Sequence, residues 1–384
     1  MRRGFLVAAP HSGSGKTVIT LGLLRAFANA GENVVPFKAG PDFIDPAFHT
    51  AAAKADCFNL DPWGMRPQLI SSLADGSGLT VVEGMMGLFD GAADGSGSCA
   101  DLAALLDLPI VLVIDCARQS QSVAALVRGF RDHRPDIHIA ALILNRVSTD
   151  RHEGLLRQAL DPIGIPVAGV IPALELLKLP ERHLGLVQAG EHVALEAFIA
   201  TTATLVKDRI DLDLLAGLGG KVLAETAGLK KLPPLGQRIA IARDEAFAFA
   251  YRHILSGWSE YGAELSFFSP LNDQAPEPDA NAIYLPGGYP ELHAGKLAAA
   301  AAFRAGMIGA RDRGAAIYGE CGGFMVLGEG LTDADGKANP MLGLLPVETS
   351  FATRTRHLGY RKLKGRAGTS FSGNYRAHEF HYST

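Results

Sequence analysis

The sequence predicts an α/β protein built from two doubly wound domains, and three observations lead to that fold class. Apolar runs rich in Val, Ile and Leu alternate with helical segments in two series along the 384 residues, as is typical of parallel sheets covered on both faces. The first series opens with a phosphate-loop pattern at 10–17. The second leads to a cysteine between glycines, Cys321, which is typical of a tight strand-to-helix turn.

The composition narrows the classes of function. Apolar residues make up 48% and charged residues 20% of the chain, as in ordinary globular proteins. The net charge of −4 leaves no broad basic surface, which argues against nucleic acid as a partner. No uninterrupted apolar segment reaches the length of about 18 residues that a membrane span needs, so no membrane partner is expected. The four cysteines are scattered without a CxxC pair, which favours a reducing compartment, the cytoplasm.

The first series of elements covers the first half of the chain. Residues 16–31 have the pattern of a helix that ends in glycine. The segment 181–187 and the Leu/Ala-rich stretch after it are also predicted to be helical, up to Pro233, Pro234 and Gly236, which mark a domain boundary. The apolar runs predict buried strands at 4–10, 33–40, 79–84, 109–116, 137–146 and 165–172.

The second series begins after this boundary. It predicts strands at 238–244, 263–270, 281–288 and 315–323, with helices near 246–258 and 290–309. We therefore expect three parts, which are a phosphate-loop domain over 1–190, a helical connector over 191–236 and a second α/β domain over 237–384.

The stretch PHSGSGKT at 10–17 follows a predicted strand and opens a helix. In such a loop, backbone N–H groups wrap phosphate oxygens, the lysine reaches the β- and γ-phosphates, and the threonine holds Mg²⁺. The full G-x-x-x-x-G-K-[ST] pattern has glycine where this chain has Pro10, and a glycine-rich turn without ligand is the alternative. Asn145 closes the fifth strand, either to read an adenine edge or as a turn residue. The candidate ATP ligands are Gly13, Ser14, Gly15, Lys16, Thr17 and Asn145.

Two acidic loops follow the second and third predicted strands, at 38–46 and 83–91. Loops at the carboxyl ends of parallel strands converge on one crevice. The side chains expected around the γ-phosphate are Lys38, Asp42, Asp45, Glu83 and Asp90. Carboxylates there hold Mg²⁺ together with phosphate oxygens and water. A helix cap or a solvated charge is the alternative, above all for Asp42 and Asp90. The candidate metal ligands are Thr17, Asp45 and Glu83, and the candidates for activating the substrate are Lys38, Asp42, Asp45 and Glu83.

Cys321 ends an apolar run in the stretch GECGG. The strand predicted at 281–288 ends in two glycines, so backbone N–H groups of Gly288 and Gly322 are expected to form an oxyanion hole. A cysteine in that position attacks an acyl carbon and forms a thioester. A buried free cysteine is the alternative.

A cysteine nucleophile needs a base, which is usually histidine. The stretch HEFHYS offers His378 and His381. Because consecutive residues of a strand point to opposite faces, Glu379 cannot orient His378 without a turn. Neither histidine is therefore the preferred base.

The two patterns together describe one reaction. Attack of a cysteine on the side-chain amide of glutamine releases ammonia. ATP converts a carboxylate into an acyl phosphate, which ammonia displaces. The sum is glutamine-dependent amidation of an acid that the residues alone do not identify.

Seven stretches follow one another in order along nearly the whole chain: SGSGKTVITLGLLRA, FKAGPDFIDP, VVEGMMGLFDG, LPERHLGLV, LPGGYPELHA, YGECGGFMVLG and HEFHYS. Together they resemble the cobyrinic or hydrogenobyrinic acid a,c-diamide synthase family of cobalamin biosynthesis. The resemblance implies a dethiobiotin-synthetase-like ATP domain, then a class I glutamine amidotransferase-like domain, with Mg²⁺, ATP, glutamine and a corrinoid substrate. By matching motifs it implies phosphate binding at Gly13 to Thr17, Asp45 and Glu83 near the metal and the activated carboxylate, and Cys321 as the glutaminase nucleophile.

The end of the chain departs from the family pattern. Members normally continue past HEFHYS into a segment with a YxHxH-like motif, whose histidine is the expected base for the cysteine. This chain stops at Thr384. We therefore expect a truncated C-terminus, with impaired use of glutamine and preserved use of ammonia, unless His378 or His381 serves instead.

Rival functions stay open. Cobyric acid synthase shares both domains, although HEFHYS and LPERHLGLV favour the diamide synthase. A partitioning or scaffold ATPase, which switches partners with its nucleotide state, would explain the phosphate loop but not Cys321. A glutamine-binding regulator without catalysis is a third option. The sequence also leaves open whether the corrin carries cobalt, although AAPHSGSGKT favours the metal-free substrate of the aerobic pathway. The order of amidation and the oligomeric state, including a homodimer, are open too.

Overall fold

The computed structural model describes residues 3–174, 181–182, 185–186, 188–192, 194–219, 231–368 and 372–384. It divides into two compact units, Met1–Leu229 and Lys230–Thr384. Each unit contains a parallel sheet with helices between its strands. The predicted fold class of two α/β domains is therefore confirmed.

One parallel sheet of seven strands forms the centre of the first unit. The strands are β1 (Arg3–Ala8), β2 (Val34–Ala39), β3 (Phe58–Leu60), β4 (Leu79–Glu83), β5 (Ile110–Asp115), β6 (Ile139–Val147) and β7 (Val167–Pro172). They lie in the order β3-β2-β4-β1-β5-β6-β7. Phe5, Leu6 and Val7 of β1 are all fully buried, so both faces of the sheet are covered at its middle.

The helices of the first unit follow its strands. They are α1 (Lys16–Asn29), α2 (Asp45–Ala53), α3 (Pro67–Ala74), α4 (Cys99–Leu106), α5 (Val123–Asp132), α6 (Asp150–Leu160), α7 (Leu195–Arg209) and α8 (Leu212–Gly217). The chain leaves β1, β2 and β4 at the same edge of the sheet. Glu83, the last residue of β4, pairs with Val7 of β1 and with Lys38 of β2. This register brings together the three loops that follow β1, β2 and β4.

A smaller parallel sheet organises the second unit. Its strands are β10 (Arg238–Ala242), β11 (Glu264–Phe268), β12 (Ala282–Leu285) and β13 (Ala316–Gly319), in the order β11-β10-β12-β13. Its helices are α9 (Arg252–Glu260), α10 (Ala294–Ala299), α11 (Ala301–Asp312) and α12 (Gly322–Leu327). Leu285 pairs with Gly319, so the turns that follow β12 and β13 lie side by side.

Five further strands complete the second unit. A small sheet joins β14 (Gly330–Thr332) to β15 (Ala338–Pro340) and to β16 (Glu348–Ser350). The strands β17 (His357–Gly365) and β18 (Gly373–His381) form a long antiparallel hairpin. None of these five strands consists of an uninterrupted apolar run, so the apolar pattern of the sequence did not predict them.

Three helix predictions are wrong. The segment 181–187 contains the antiparallel strands β8 (Glu181–Arg182) and β9 (Gly185–Leu186), and its glycine disfavours a helix. The helix expected near 246–258 begins only at Arg252, because the backbone N–H of Phe249 donates to Gly287 instead of continuing a helical ladder. The helix expected near 290–309 is divided at Ala300, whose ψ of 88° is not helical. In the described part of the chain, no helix combines the length and the apolar character that crossing a membrane would need.

Candidate active sites in the two units

The loop between β1 and α1 is tight and preformed. Gly13 and Gly15 have φ angles of 78° and 89°, a left-handed conformation that glycine adopts without steric strain. A Cβ on Gly15 would lie 2.3 Å from the Nδ2 atom of Asn145, so close packing requires glycine here as well. Ser14 is fully buried, and its hydroxyl donates to the carbonyl of His11 at 2.9 Å. The N-terminus of α1 is thus surrounded by a fixed loop, as phosphate binding requires.

Lys16 and Thr17 begin α1 and reach towards the end of β4. The ammonium of Lys16 donates to the carbonyl oxygen of Met86 at 2.7 Å, and the hydroxyl of Thr17 donates to Glu83 Oε1 at 2.6 Å. Burial lowers the pKa of Lys16, although the charge of Glu83 opposes this shift. A phosphate oxygen is a stronger partner for an ammonium group than a neutral carbonyl. Lys16 is therefore placed to turn from Met86 to a bound phosphate.

Lys38 lies at the centre of a buried ionic cluster between the ends of β2 and β4. Its ammonium donates to Asp45 Oδ2 at 2.5 Å and to Glu83 Oε1 at 2.9 Å. Asp42 Oδ2 lies 3.9 Å away, while Asp42 Oδ1 accepts from the backbone N–H groups of Ile44 and Asp45. Lys38, Asp45 and Glu83 are 3%, 6% and 0% exposed. The structure thus brings together the residues that the sequence placed around the reacting carboxylate.

The charges of this cluster shift the pKa values of its members. Burial alone would raise the pKa of Glu83, but Lys38 and His49 outweigh it and hold that pKa well below its ordinary value. Burial and the charge of Asp42 raise the pKa of Asp45 to about 7, against the opposing effect of Lys38. The carboxylates raise the pKa of Lys38 although burial lowers it. At neutral pH, Glu83 is an anion and Lys38 a cation, while Asp45 is close to its midpoint.

His49 is a member of the cluster that the sequence reasoning missed. It is fully buried on α2, and its Nε2 atom lies 2.6 Å from Glu83 Oε2. Its Nδ1 atom lies 3.6 Å from the sulfur of Cys57. Burial disfavours the imidazolium, yet Glu83 raises the pKa of His49 to about 10. The signal was available, because His49 follows Asp45 by four residues and so lies on the same face of a helix.

Two other predicted side chains support the loops around this cluster. Asn145 donates from Nδ2 to the carbonyl of Ser14 at 2.8 Å and accepts at Oδ1 from the backbone N–H of Arg146 at 2.9 Å. Asp90 accepts from the backbone N–H of Gly87 at 2.8 Å. Asn145 therefore lies against the phosphate loop, and Asp90 lies within the loop that follows β4.

In the second unit, Cys321 forms the turn between β13 and α12. Its φ of 49° and ψ of −116° are unusual for a residue with a side chain, and such a conformation stores about 1–3 kcal/mol of strain. Cys321 is exposed, whereas Cys57, Cys99 and Cys116 are buried. A strained, exposed residue on a strand-to-helix turn is typical of a nucleophile.

Two backbone N–H groups, those of Gly322 and Gly288, hydrogen-bond to the sulfur of Cys321. A Cβ on Gly288 would lie 2.1 Å from the carbonyl oxygen of Ala246, and a Cβ on Gly322 would lie 2.7 Å from Pro290 Cδ. Glycine at both positions is what allows the two amide groups to approach the thiol. Paired N–H groups beside a nucleophile have the arrangement of an oxyanion hole.

The surroundings of Cys321 also contain a buried acid that the sequence reasoning missed. The carboxylate of Glu320 accepts hydrogen bonds from the hydroxyl groups of Tyr284, Tyr318 and Tyr251. Burial raises the pKa of Glu320, and the phenol donors oppose this. Although Cys321 is exposed as a residue, its sulfur is closely surrounded, so burial raises the thiol pKa; the two N–H groups lower it and Glu320 raises it further.

The two histidines of HEFHYS lie on β18. His378 packs edge-on against Tyr360, with ring centroids 4.9 Å apart. His381 contacts Glu379 at 3.2 Å and the carbonyl oxygen of Ser383 at 3.0 Å. Glu379 therefore contacts His381, two residues away on the same face of the strand. The identity of the base for Cys321 stays a prediction.

Two family models match the chain, one in each α/β unit. The CobQ/CobB/MinD/ParA nucleotide binding domain matches residues 5–187. The CobB/CobQ-like glutamine amidotransferase domain matches residues 238–384. These matches confirm the predicted order of a nucleotide-binding domain followed by a glutamine amidotransferase domain.

Curated relatives match the chain over its whole length. A hydrogenobyrinate a,c-diamide synthase from Brucella anthropi is 60% identical over 389 residues, which cover 100% of this chain and 89% of the relative. The proteins of the same name from Rhizobium meliloti and Rhodobacter capsulatus are 58% and 49% identical, with 99% and 100% of this chain and 90% of each relative covered. Among solved structures, the septum site-determining protein MinD from Pyrococcus horikoshii, complexed with Mg-ADP, has a TM-score of 0.33 and 16% identity over 56% of this chain and 95% of that chain.

Proposed function

This chain belongs to the hydrogenobyrinate a,c-diamide synthase family, and we propose that it amidates the a and c acetate carboxylates of hydrogenobyrinic acid with ATP and glutamine. It is a glutamine-dependent, amide-forming ligase. The observation that carries the proposal is Cys321, which lies under two converging N–H groups in a chain that also contains a phosphate loop. A nucleotide switch has no use for such a nucleophile. We assign the reaction to the cytoplasm, where four unpaired cysteines stay reduced.

The second unit releases ammonia from glutamine. The sulfur of Cys321 attacks the side-chain carboxamide carbon, and the N–H groups of Gly288 and Gly322 stabilise the negative oxygen that forms. The C–N bond then breaks, and the leaving nitrogen takes up the proton that the Cys321 thiol gave up, which releases ammonia. Water hydrolyses the remaining γ-glutamyl thioester to glutamate and regenerates the thiol.

The first unit activates the substrate. Backbone N–H groups from Gly13 to Thr17 and the ammonium of Lys16 bind the phosphates of ATP. An acetate carboxylate of the corrinoid attacks the γ-phosphorus, which gives an acyl phosphate and ADP. Ammonia then attacks the acyl carbon, phosphate leaves, and the amide forms. Lys38 would attract the incoming carboxylate while Asp45 and Glu83 hold its ammonium in place.

The oxygen donors at the end of β4 fit a magnesium ion. Thr17 Oγ1 and Glu83 Oε1 lie 2.6 Å apart, and Mg²⁺ takes hard oxygen ligands, usually one or two carboxylates together with phosphate oxygens and water. Thr17 and Glu83 would hold the ion, with Asp45 beside them. The ion would supply charge neutralisation for the transferring phosphoryl group.

Counting the amides formed tests the proposal. The chain is incubated with Mg–ATP and hydrogenobyrinic acid, with glutamine in one tube and ammonium in the other, and mass spectrometry measures the product. Diamide formation coupled to release of ADP and phosphate supports the proposal. No amide in either tube overturns it, and amidation at other side chains would favour a cobyric acid synthase instead. A further tube with cobyrinic acid measures whether the cobalt-containing substrate is amidated as well.

The variant Cys321→Ala tests the role of the nucleophile. It should lose glutamine use and keep the ammonium-driven rate, because only the second unit is changed. Cys116→Ala, which removes a buried thiol of the first unit, is the matched control and should keep both nitrogen sources. Unchanged glutamine use by Cys321→Ala would overturn the assigned nucleophile without touching the amidation itself.

A further inference from the structure

Three side chains converge at the end of the β17–β18 hairpin away from its connecting loop. They are His357 on β17 and Glu379 and His381 on β18, and one donor atom from each lies within 4.8 Å of the others. His357 and His381 are direct cross-strand partners, and their rings stack at a centroid distance of 4.6 Å. Glu379 precedes His381 by two residues, so all three side chains lie on one face of the hairpin.

The hydrogen bonds of His381 define which of its nitrogens carries the proton. Nδ1 lies 3.0 Å from the carbonyl oxygen of Ser383, with the Ser383 hydroxyl farther away at 3.4 Å. A carbonyl oxygen only accepts hydrogen bonds, so Nδ1 is the donor, and Nε2 of the neutral ring presents a lone pair.

That lone pair points at another acceptor. Nε2 of His381 lies 3.2 Å from Oε1 of Glu379. An imidazole nitrogen and a carboxylate oxygen at this distance attract each other only when a proton or a metal cation lies between them. The other carboxylate oxygen, Oε2, accepts from the guanidinium of Arg361. Oε1 is therefore the oxygen that is turned towards the two rings.

We propose that His357, Glu379 and His381 form a binding site for a divalent transition-metal ion, with zinc as the best fit. Zinc bonds to imidazole nitrogen and carboxylate oxygen are about 2.0–2.2 Å long, which separates two tetrahedral ligands by about 3.4 Å. The 3.2 Å between His381 Nε2 and Glu379 Oε1 is close to that value. Mg²⁺ and Ca²⁺ prefer sites made of oxygen alone, so two imidazoles select against them.

The groups behind the ligands complete the site. A metal-bound histidine usually donates its second ring nitrogen to a carbonyl or a carboxylate, and Ser383 provides that partner for His381. Arg361 holds the Glu379 carboxylate in the same way. Glu379 and His381 are 32% and 31% exposed at their side chains, so an ion can enter from solvent and keep an open coordination position.

A bound ion would cross-link the two strands of the hairpin. Much of the hairpin is poorly covered, since Leu358 and Leu363 of β17 are 59% and 50% exposed. Joining His357 to His381 through a metal would fasten the hairpin at the end where the chain returns to the body of the second unit. This inference does not depend on the amidation reaction.

Cobalt and zinc titrations of the full, untagged chain test the site. After chelation and dialysis, Co²⁺ is added as a spectroscopic probe, and Zn²⁺ binding is measured by calorimetry. We expect one equivalent of Co²⁺ to produce the visible absorption of nitrogen and oxygen ligands, with displacement by Zn²⁺. We also expect Zn²⁺ to raise the thermal midpoint of unfolding.

Variants connect the metal signal to the three residues. Loss of an outer partner of a metal ligand costs about 10- to 100-fold in affinity, so loss of a ligand itself in His357→Asn, Glu379→Gln or His381→Asn should weaken binding by at least that much. His378→Ala, on the other face of the same strand, is the matched control and should bind the metal as the unchanged chain does. Metal-free melting curves identify any variant that fails to fold. The variants that do fold then show whether the three side chains bind the metal. Binding that survives both His357→Asn and His381→Asn, or no binding by the unchanged chain, would overturn the proposal and leave His381 and Glu379 as a contact without a metal.

Discussion

The ammonium of Lys38 donates to Oε1 of Glu83, the same carboxylate oxygen that accepts from the hydroxyl of Thr17. One oxygen atom therefore joins the phosphate loop to the loop expected to receive the substrate. His49 binds the second oxygen of that carboxylate from the opposite side. Glu83 is thus fixed by three elements, α1, β2 and α2, and a change at any of its partners should affect both nucleotide binding and substrate activation.

Lys38→Met is expected to destabilise the first unit. It leaves Asp45 and Glu83 buried without their cation, and breaking a buried ion pair on one side costs about 3–5 kcal/mol. Urea unfolding measures this loss, and the ammonium-driven amidation should disappear as well. The double variant Lys38→Met with Glu83→Gln should recover part of the stability, because it removes one of the unpaired charges. Equal unfolding midpoints for the unchanged chain and Lys38→Met would contradict the described cluster.

Lys16→Ala is expected to weaken ATP binding. A hydrogen bond to a charged group contributes about 1.5–3 kcal/mol, which corresponds to roughly 10- to 100-fold in affinity. Calorimetry with a non-hydrolysable ATP analogue and Mg²⁺ measures the change. Alkylation of Cys321 serves as the control and should proceed as before, since that thiol belongs to the second unit. Unchanged nucleotide affinity would show that Lys16 keeps its bond to Met86 when ATP binds.

Gly288→Ala is expected to lower glutamine-driven turnover strongly while ammonium-driven turnover persists. The new methyl group would meet the carbonyl oxygen of Ala246 at 2.1 Å, so the N–H group must move away from Cys321. Loss of one oxyanion-hole donor lowers kcat about 10²- to 10³-fold. Gly295→Ala is the matched control, because its methyl group would meet Asn339 at an ordinary 3.7 Å. Full glutamine-driven turnover by Gly288→Ala would remove this N–H group from the mechanism.

The reactivity of Cys321 is expected to rise with pH to a midpoint above that of a free cysteine. Burial raises the pKa of its thiol and the charge of Glu320 adds to this shift, so the thiolate is scarce at neutral pH. Iodoacetamide labelling followed by mass spectrometry measures the midpoint, and the burial of the other cysteines keeps the signal specific. Glu320→Gln removes the negative charge and should move the midpoint to lower pH. A midpoint that stays in place would show that Glu320 does not act on the thiol.

The sequence revealed those parts of the fold and of the site that depend on local pattern. Buried parallel strands are continuous apolar runs, and the residues at their carboxyl ends meet wherever the strands are neighbours. Lys38 and Glu83 could be placed together for that reason, and their register confirms the contact.

The residues that the sequence reasoning missed depend on tertiary contacts. Glu320 obtains its hydroxyl partners from three separate segments, at Tyr251, Tyr284 and Tyr318, and no spacing connects them. The division between α10 and α11 falls at Ala300 within an alanine run, where propensity alone favours an unbroken helix. Ala300 is buried in the core of the second unit, and the backbone N–H of Phe303 at the start of α11 donates to Asp273, 30 residues earlier.

The backbone conformation of Cys321 lowers the stability of the fold, and the proposed chemistry needs a cysteine in that conformation. At a φ of 49°, glycine would be less strained than cysteine, so Cys321→Gly should make the protein more stable while it removes the proposed nucleophile. A mutation to glycine at this position would therefore stabilise the fold, and on the proposed mechanism the use of glutamine is what requires the cysteine. In a lineage that always has ammonia available, we expect this cysteine to be among the first residues lost.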